Sequence, residues 1–160
     1  GAFIAADQEI IDYLKYNLRS QMFAKSLQMQ LVVGALKRLD MLKTMPELKL
    51  NLWTIVDALQ SGLRASGFNL GITTTPVTPV ILNGTVAEAT HLTLDLRENF
   101  NIFCSIVTYP VIPRGTILLR LIPTAMHTLE DVEETITAFN AIKSKLDNGD
   151  YKAEKLAMVE

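Results

Sequence analysis

Few side chains in this 160-residue chain could do chemistry. His91 and His127 are the two histidines, and Cys104 is the one cysteine. No HxxxH, HExxH or clustered Cys/His/Asp/Glu spacing groups them, so no metal site is expected. His91 falls mid-helix beside an apolar face and reads as a packing or surface residue. His127 precedes a helix start and reads as the organiser of that turn. Cys104 sits in an apolar run, Ile102 to Val107, where a thiol is an inert buried group rather than a nucleophile. Glu130, Asp131, Glu133 and Glu134 resemble a paired-carboxylate site, yet acids at a helix N-terminus are explained by the helix dipole and by solvation. Neither a G-x-S-x-G elbow nor a P-loop is present, and no catalytic residue is expected within the chain. Arg120 is different. It lies in Leu118-Leu119-Arg120-Leu121-Ile122, where a guanidinium costs desolvation unless it meets an anion. A bidentate carboxylate is the partner arginine suits best. The alternatives are an internal salt bridge or an edge-strand arginine reaching solvent. Lys25, in Phe23-Ala24-Lys25-Ser26, could form a Schiff base with a carbonyl or simply flank a helix at the surface.

The elements that must position these groups are legible from periodicity. Asp7 with Gln8 and Glu9 predicts a helix start, running to about Asn17. Residues 18–27 are ambiguous. Gln28 to Lys43 predicts a helix with Val32, Ala35, Leu36, Leu39 and Leu42 inward. Pro46 opens another, to about Ser66, with Leu48, Leu52, Ile55, Val56, Leu59 and Leu63 inward and Gly67 as its stop. Val77 to Leu82 predicts a strand. Thr85 caps a helix whose inward residues include Ala89, Leu92 and Leu96. Asn101 to Tyr109 and Thr116 to Ile122 predict two further strands, separated by a Pro/Gly-rich loop. Thr128 with Asp131 resembles a capping box ahead of a last helix burying Val132, Ile136, Phe139 and Leu146. The order predicts an α+β fold: a small, mainly antiparallel sheet with helices packed on one face.

Composition narrows the function classes. Seventeen acidic and fifteen basic residues give a net charge of −2, and the pI near 5.7 gives no basic stripe for nucleic acid. Apolar residues make up 49% of the chain, enough for a real core. Residues 76–127 hold three basic and three acidic side chains, which reads as buried strands and tight loops. One cysteine excludes an internal disulfide framework, and no apolar run reaches the roughly 18–20 residues of a membrane span. The opening Gly1-Ala2-Phe3-Ile4-Ala5-Ala6 starts in mid-hydrophobic run without a signal peptide's basic region and reads as a cut end of a cytoplasmic protein. On residues alone, a free-standing α+β interaction or small-ligand-binding module stays open.

Four stretches in one register resemble a known family. Gly1 to Asp7 resembles the "GGF-(I/V)-AG-(D/S)" stretch of the α-oxoamine synthases. Thr75-Pro76-Val77-Thr78-Pro79-Val80 resembles their "SPI-x-PV" strand. Tyr109 through Arg120 resembles "P-x-VP-x-GT-x-RLR", and Ala125 to Asp131 resembles "SAAHT-x-ED". The match runs from residue 1 to about 145.

The resemblance implies a fold-type I enzyme using pyridoxal 5'-phosphate (PLP), homodimeric, that condenses an amino acid of the serine or glycine class with an acyl-CoA to give an α-amino ketone. It implies that residues 1–45 are the end of the large domain and a connecting helix, 46–147 the C-terminal small domain, and 148–160 a weakly ordered tail. The Schiff-base lysine lies upstream in the family and no residue here matches it, so the fragment alone is expected to be inactive, with no covalently bound cofactor. Lys25 instead aligns after the first helix, where Lys25 or Ser26 would donate to the cofactor phosphate of the neighbouring subunit. Ala24 replaces the usual hydroxyl residue there, and Gln28-Met29 replace the usual prolines. Arg120 matches the family's arginine that binds the amino-acid carboxylate, with Leu118 in place of a preceding arginine. "GT-x-LLR" favours the serine palmitoyltransferase branch, whereas Thr108-Tyr109-Pro110 is more like 2-amino-3-ketobutyrate CoA ligase. 8-Amino-7-oxononanoate synthase is the third branch open.

Overall fold

The computed structural model describes residues 3–152 and divides into two compact units, Gly1–Met45 and Pro46–Glu160. The readings of Gly1-Ala2 as a cut end and of 153–160 as a tail lie outside the described residues.

The first unit holds α1 (Gln8–Asn17), the one-turn α2 (Arg19–Met22) and α3 (Met29–Thr44). Asp7 occupies the N-cap of α1, but its side chain makes no capping hydrogen bond. The ambiguous segment 18–27 forms α2, which packs on α1, and then an irregular stretch. The apolar stripe of α3 has the helical spacing expected of it, yet none of its residues is buried: Leu36, Leu39 and Leu42 are exposed. Periodicity selects a helix face, but burial needs a second surface, and no element of this unit supplies one.

The second unit is an α+β layer built of α4 (Pro46–Ala65), β1 (Thr78–Asn83), α5 (Val86–Phe100), β2 (Ser105–Val107), β3 (Thr116–Leu121) and α6 (Leu129–Asp147). The strands pair antiparallel in the order β1-β3-β2, so β3 is central. Side chains alternate across a strand. Val80 and Leu82 of β1, and Ile117, Leu119 and Leu121 of β3, therefore all enter the core. There they meet Ile55, Leu59 and Leu63 of α4, Ala89, Leu92 and Leu96 of α5, and Val132, Phe139 and Ile142 of α6. Each fully buried Leu, Ile or Phe contributes roughly 1.5–3 kcal/mol. Phe68 meets Phe139 edge to face at 5.9 Å.

Local chemistry fixes the helix ends. Thr85 and Glu88 form a reciprocal capping box on α5, and Thr128 and Asp131 form one on α6. These hydrogen bonds, first of all those from the Thr85 and Thr128 backbones, hold both carboxyls below the ordinary range. Asn101 takes a left-handed conformation (φ 55°) at the end of α5, and the Ile102 N–H bonds back to the Leu96 carbonyl at 2.9 Å. The expected strand over 101–109 therefore shrinks to Ser105–Val107, because 101–102 close the preceding helix and Thr108 begins a turn. Gln60 was not singled out by its spacing. Its amide is buried and donates to the Thr75 carbonyl at 3.0 Å and to Thr78 Oγ1 at 3.1 Å, tying the loop before β1 to α4. No described helix is long and apolar enough to cross a membrane.

The stretch 148–152, expected to begin a weakly ordered tail, is packed where it is described. Tyr151 is buried, and its hydroxyl donates to Asp95 Oδ2, which also accepts from Lys145 Nζ at 2.7 Å. His91 Nδ1 lies 3.2 Å from the Tyr151 carbonyl oxygen, so this histidine is a packing residue. Burial works to raise the Asp95 carboxyl, but hydrogen bonds from Lys145, Tyr151 and Asn99 outweigh it and hold the group below its ordinary value. A carboxyl lowered in the folded state stabilises above its unfolded pKa, and that stability is lost as pH falls through the folded value.

Two predictions follow from this packing. Tyr151→Phe is expected to destabilise the fold by about 1–2 kcal/mol at pH 7, since one hydrogen bond to a half-buried charge is lost. The deficit should shrink as pH falls below the ordinary aspartate range and Asp95 protonates, which denaturant unfolding at several pH values measures. Gly62 of α4 faces Ile136 of α6 so closely that an added Cβ would lie 2.2 Å from Ile136 Cδ1. Gly62→Leu is expected to cost about 1–3 kcal/mol by thermal unfolding, against the small gain a helical glycine replacement gives at an open site.

Candidate functional site

The alternation that fills the core sends the other half of each strand outward. Arg120 on β3 pairs with Pro79 of β1 on one side and Ser105 of β2 on the other. Leu118 pairs likewise with Ile81 and Val107. Arg120 is exposed, while Pro79, Ile81, Ser105, Val107 and Leu118 around it are half-buried. The sequence expectation of a poorly hydrated guanidinium is corrected here. Its apolar chain neighbours Leu119 and Leu121 lie on the opposite face of the strand. The edge-strand alternative is half right: β3 is central and not an edge, but the side chain does reach solvent.

The guanidinium is held at one atom. Arg120 Nε donates to Ser105 Oγ at 2.9 Å, and Ser105 Oγ in turn lies 3.5 Å from the Arg120 carbonyl oxygen. No carboxylate pairs with Arg120 among the described residues, so the internal salt-bridge alternative does not hold within them. Its Nη1 and Nη2 keep a two-donor edge open to an anion. Ser105 drew no attention in the sequence, because only the strand register shows that it opposes Arg120. The loop joining β2 to β3 is braced by Arg114, whose guanidinium stacks 4.5 Å from the Tyr109 ring centroid.

Lys25 and Ser26 lie in the other unit, both exposed in the irregular stretch between α2 and α3. Gln28 at the α3 N-cap makes no side-chain capping bond, and its carbonyl accepts from the Leu31 N–H at 3.0 Å. An ammonium and a hydroxyl near a helix start are donors that a phosphate site uses. Lys25 and Ser26 thus carry donor types that a phosphate, that of PLP included, accepts from.

The remaining chemistry-bearing residues sit in a turn, in the core or at the start of α6. His127 Nδ1 accepts from the Thr124 N–H at 2.9 Å and organises the turn before α6, as its position predicts. Cys104 is buried, and burial pushes its thiol up to about 11, so it is not a nucleophile at neutral pH. Glu130, Glu133 and Glu134 are exposed beside Asp131. A half-open cleft of about 330 Å³ lies at the start of α6, lined by Ile55, Phe103, His127, Asp131 and Glu134 among others, and Arg120 does not reach it. No group of three or more His, Cys, Asp or Glu could hold a metal among the described residues.

Known proteins share this sequence and fold. The pattern of the family "Aminotransferase class I and II" matches residues 1–139. A cysteate-C-fatty acyltransferase of Capnocytophaga ochracea is 60% identical over 153 residues, covering 96% of this chain and 36% of that protein. A serine palmitoyltransferase of Sphingobacterium spiritivorum is 33% identical over 136 residues, covering 85% of this chain and 34% of that protein. Among solved structures, serine palmitoyltransferase of S. paucimobilis with bound PLP and myriocin superposes with a TM-score of 0.71 at 27% identity, over 85% of this chain and 34% of that one. The chain thus spans about a third of the length of these relatives. The matched span and the shared sheet-and-helix layer agree with the motifs around Arg120, and the chain belongs to the aminotransferase class I and II family, in its α-oxoamine synthase branch.

Proposed function

We propose that this chain is the substrate-anchoring portion of a PLP-dependent C-acyltransferase that joins an amino acid to a fatty acyl thioester, releasing CO2 and the thiol. The observation that carries the reading is the Arg120 guanidinium, fixed at Nε and open at Nη1 and Nη2. An arginine so placed takes a carboxylate through two parallel charge-assisted hydrogen bonds, which sets the orientation of the substituents on the neighbouring carbon. PLP, when bound, supplies the electron sink for bond cleavage at that carbon. Lys25 and Ser26 would donate to its phosphate across the interface of a homodimer. The lysine that holds the cofactor covalently would come from outside these 160 residues, so the chain alone does not carry out the reaction.

The relatives support a choice of amino acid. The motifs favoured the serine palmitoyltransferase branch without choosing the amino acid, and the C. ochracea cysteate-C-fatty acyltransferase shares 60% identity where the S. spiritivorum serine palmitoyltransferase shares 33%. Cysteate is therefore the first candidate and serine the second. Both carry the α-carboxylate that Arg120 would hold.

The test uses the full-length protein loaded with PLP, assayed with palmitoyl-CoA and either L-cysteate or L-serine, with the α-amino ketone identified by mass spectrometry. Arg120→Ala should raise the amino-acid KM about 100-fold, the loss of a charge-assisted bidentate contact worth about 3 kcal/mol, and leave the acyl-CoA KM within about twofold. An unchanged amino-acid KM removes the role given to Arg120. Condensation of serine but not cysteate would reverse the substrate order.

A further inference from the structure

The strand register places one polar group where it controls how Arg120 can bind. We propose that Ser105 is a positioning residue: it fixes the Arg120 guanidinium so that an incoming carboxylate is taken end-on, through Nη1 and Nη2. The inference rests on the reading of Arg120 as the carboxylate anchor and goes beyond it.

Three observations carry it. First, Ser105 and Arg120 are direct cross-strand partners, so the short serine side chain and the long arginine stem rise from the same face of the sheet. Second, the contact is made at Nε, at 2.9 Å, and not at a terminal nitrogen. An arginine offers a carboxylate two double-donor edges: the side edge, which includes Nε, and the end formed by Nη1 and Nη2. Ser105 occupies the first and leaves the second. Third, Ser105 Oγ also lies 3.5 Å from the Arg120 carbonyl oxygen. If the hydroxyl proton turns toward that carbonyl, an oxygen lone pair faces Nε, so the serine acts there as acceptor. On the other side of β3 the register partner is Pro79, which has no polar side-chain atom to offer. Ser105 is the hydrogen-bond partner of the guanidinium among the described residues.

The physical consequence is preorganisation. A free arginine side chain samples many rotamers and loses that freedom on binding a ligand. A side chain tied at Nε has lost part of it already. The end-on approach also directs the carboxylate along the line of the side chain.

The experiment uses the full-length, PLP-loaded protein and L-cysteate and L-serine as probes. Ser105→Thr keeps an acceptor hydroxyl, and Ser105→Val has nearly the same shape without one. Ser105→Val and Ser105→Ala should each raise the amino-acid KM about 10-fold, as loss of one hydrogen bond to a charged group predicts, with kcat and the acyl-CoA KM changed less than about twofold. Ser105→Thr should restore the wild-type KM. In an Arg120→Ala background, Ser105→Val should add nothing. Wild-type KM values in Ser105→Val and Ser105→Ala, alongside a raised KM in Arg120→Ala, would overturn the positioning role and leave the anchor standing. Equal losses from Ser105→Val with and without Arg120 would also overturn it, since the serine would then act elsewhere. An unaltered KM in Arg120→Ala would remove anchor and positioning role together. The alanine variant keeps the comparison valid if valine impairs folding.

Discussion

The second unit depends on the parity of one central strand. In Thr116–Leu121, Ile117, Leu119 and Leu121 face the helices, and Thr116, Leu118 and Arg120 face away. A slip of one residue would exchange the two sets. It would carry the Arg120 guanidinium into a core lined by Leu92, Phe139 and Ile142, where an unpaired charge costs several kcal/mol after relaxation. It would also leave three apolar side chains on the open face. The register is therefore strongly specified, and because β3 pairs with both other strands it fixes them as well. Core and candidate anchor are two outcomes of the same constraint.

The helices hold that register from one side. Their starts are set by the reciprocal Thr85–Glu88 and Thr128–Asp131 boxes, which satisfy backbone N–H groups that would otherwise be orphaned. The α5–α6 pair is then tied by Asp95, which accepts from Lys145 on α6 and Tyr151 beyond it. Gln60 does the same for α4 and the loop leading into β1. These polar ties lie at the margins of an otherwise apolar layer. They add direction to burial that by itself is non-directional.

What the sequence made legible follows from how local each signal is. Each capping box joins residues three apart: the Thr128–Asp131 box was readable as such, and Thr85 as a cap without its partner Glu88. So was the apolar alternation of β3, and so was the last helix through Val132 and Phe139. The stripe on α3 was readable as helix but not as exposed, since exposure depends on what lies opposite. The strand beginning at Asn101 was drawn too long because a left-handed residue closing α5 leaves no hydrophobic mark. Arg120 was found by its incongruity, yet its apolar neighbours suggested burial until alternation put them on the other face. Ser105 and Gln60 were invisible, because each matters through partners 15 or more residues away.

Selectivity for the amino acid has to be separated from its capture. A guanidinium end meets the α-carboxylate of cysteate and of serine alike, so in the proposed role Arg120 would set where that carboxylate sits and be indifferent to what hangs from the next carbon. Distinguishing a sulfonate from a hydroxyl calls for a further cation or a set of N–H donors at the side-chain end. Among the strand residues on the open face, Arg120 is the one charged group, its neighbours being Pro79, Ile81, Ser105, Val107, Thr116 and Leu118, with Asn83 at the edge. That face is thus suited to reading the part of the substrate all α-amino acids share. On the proposed reading the side-chain end would be read elsewhere, and the amino acid could change without disturbing the β3 register on which the anchor depends.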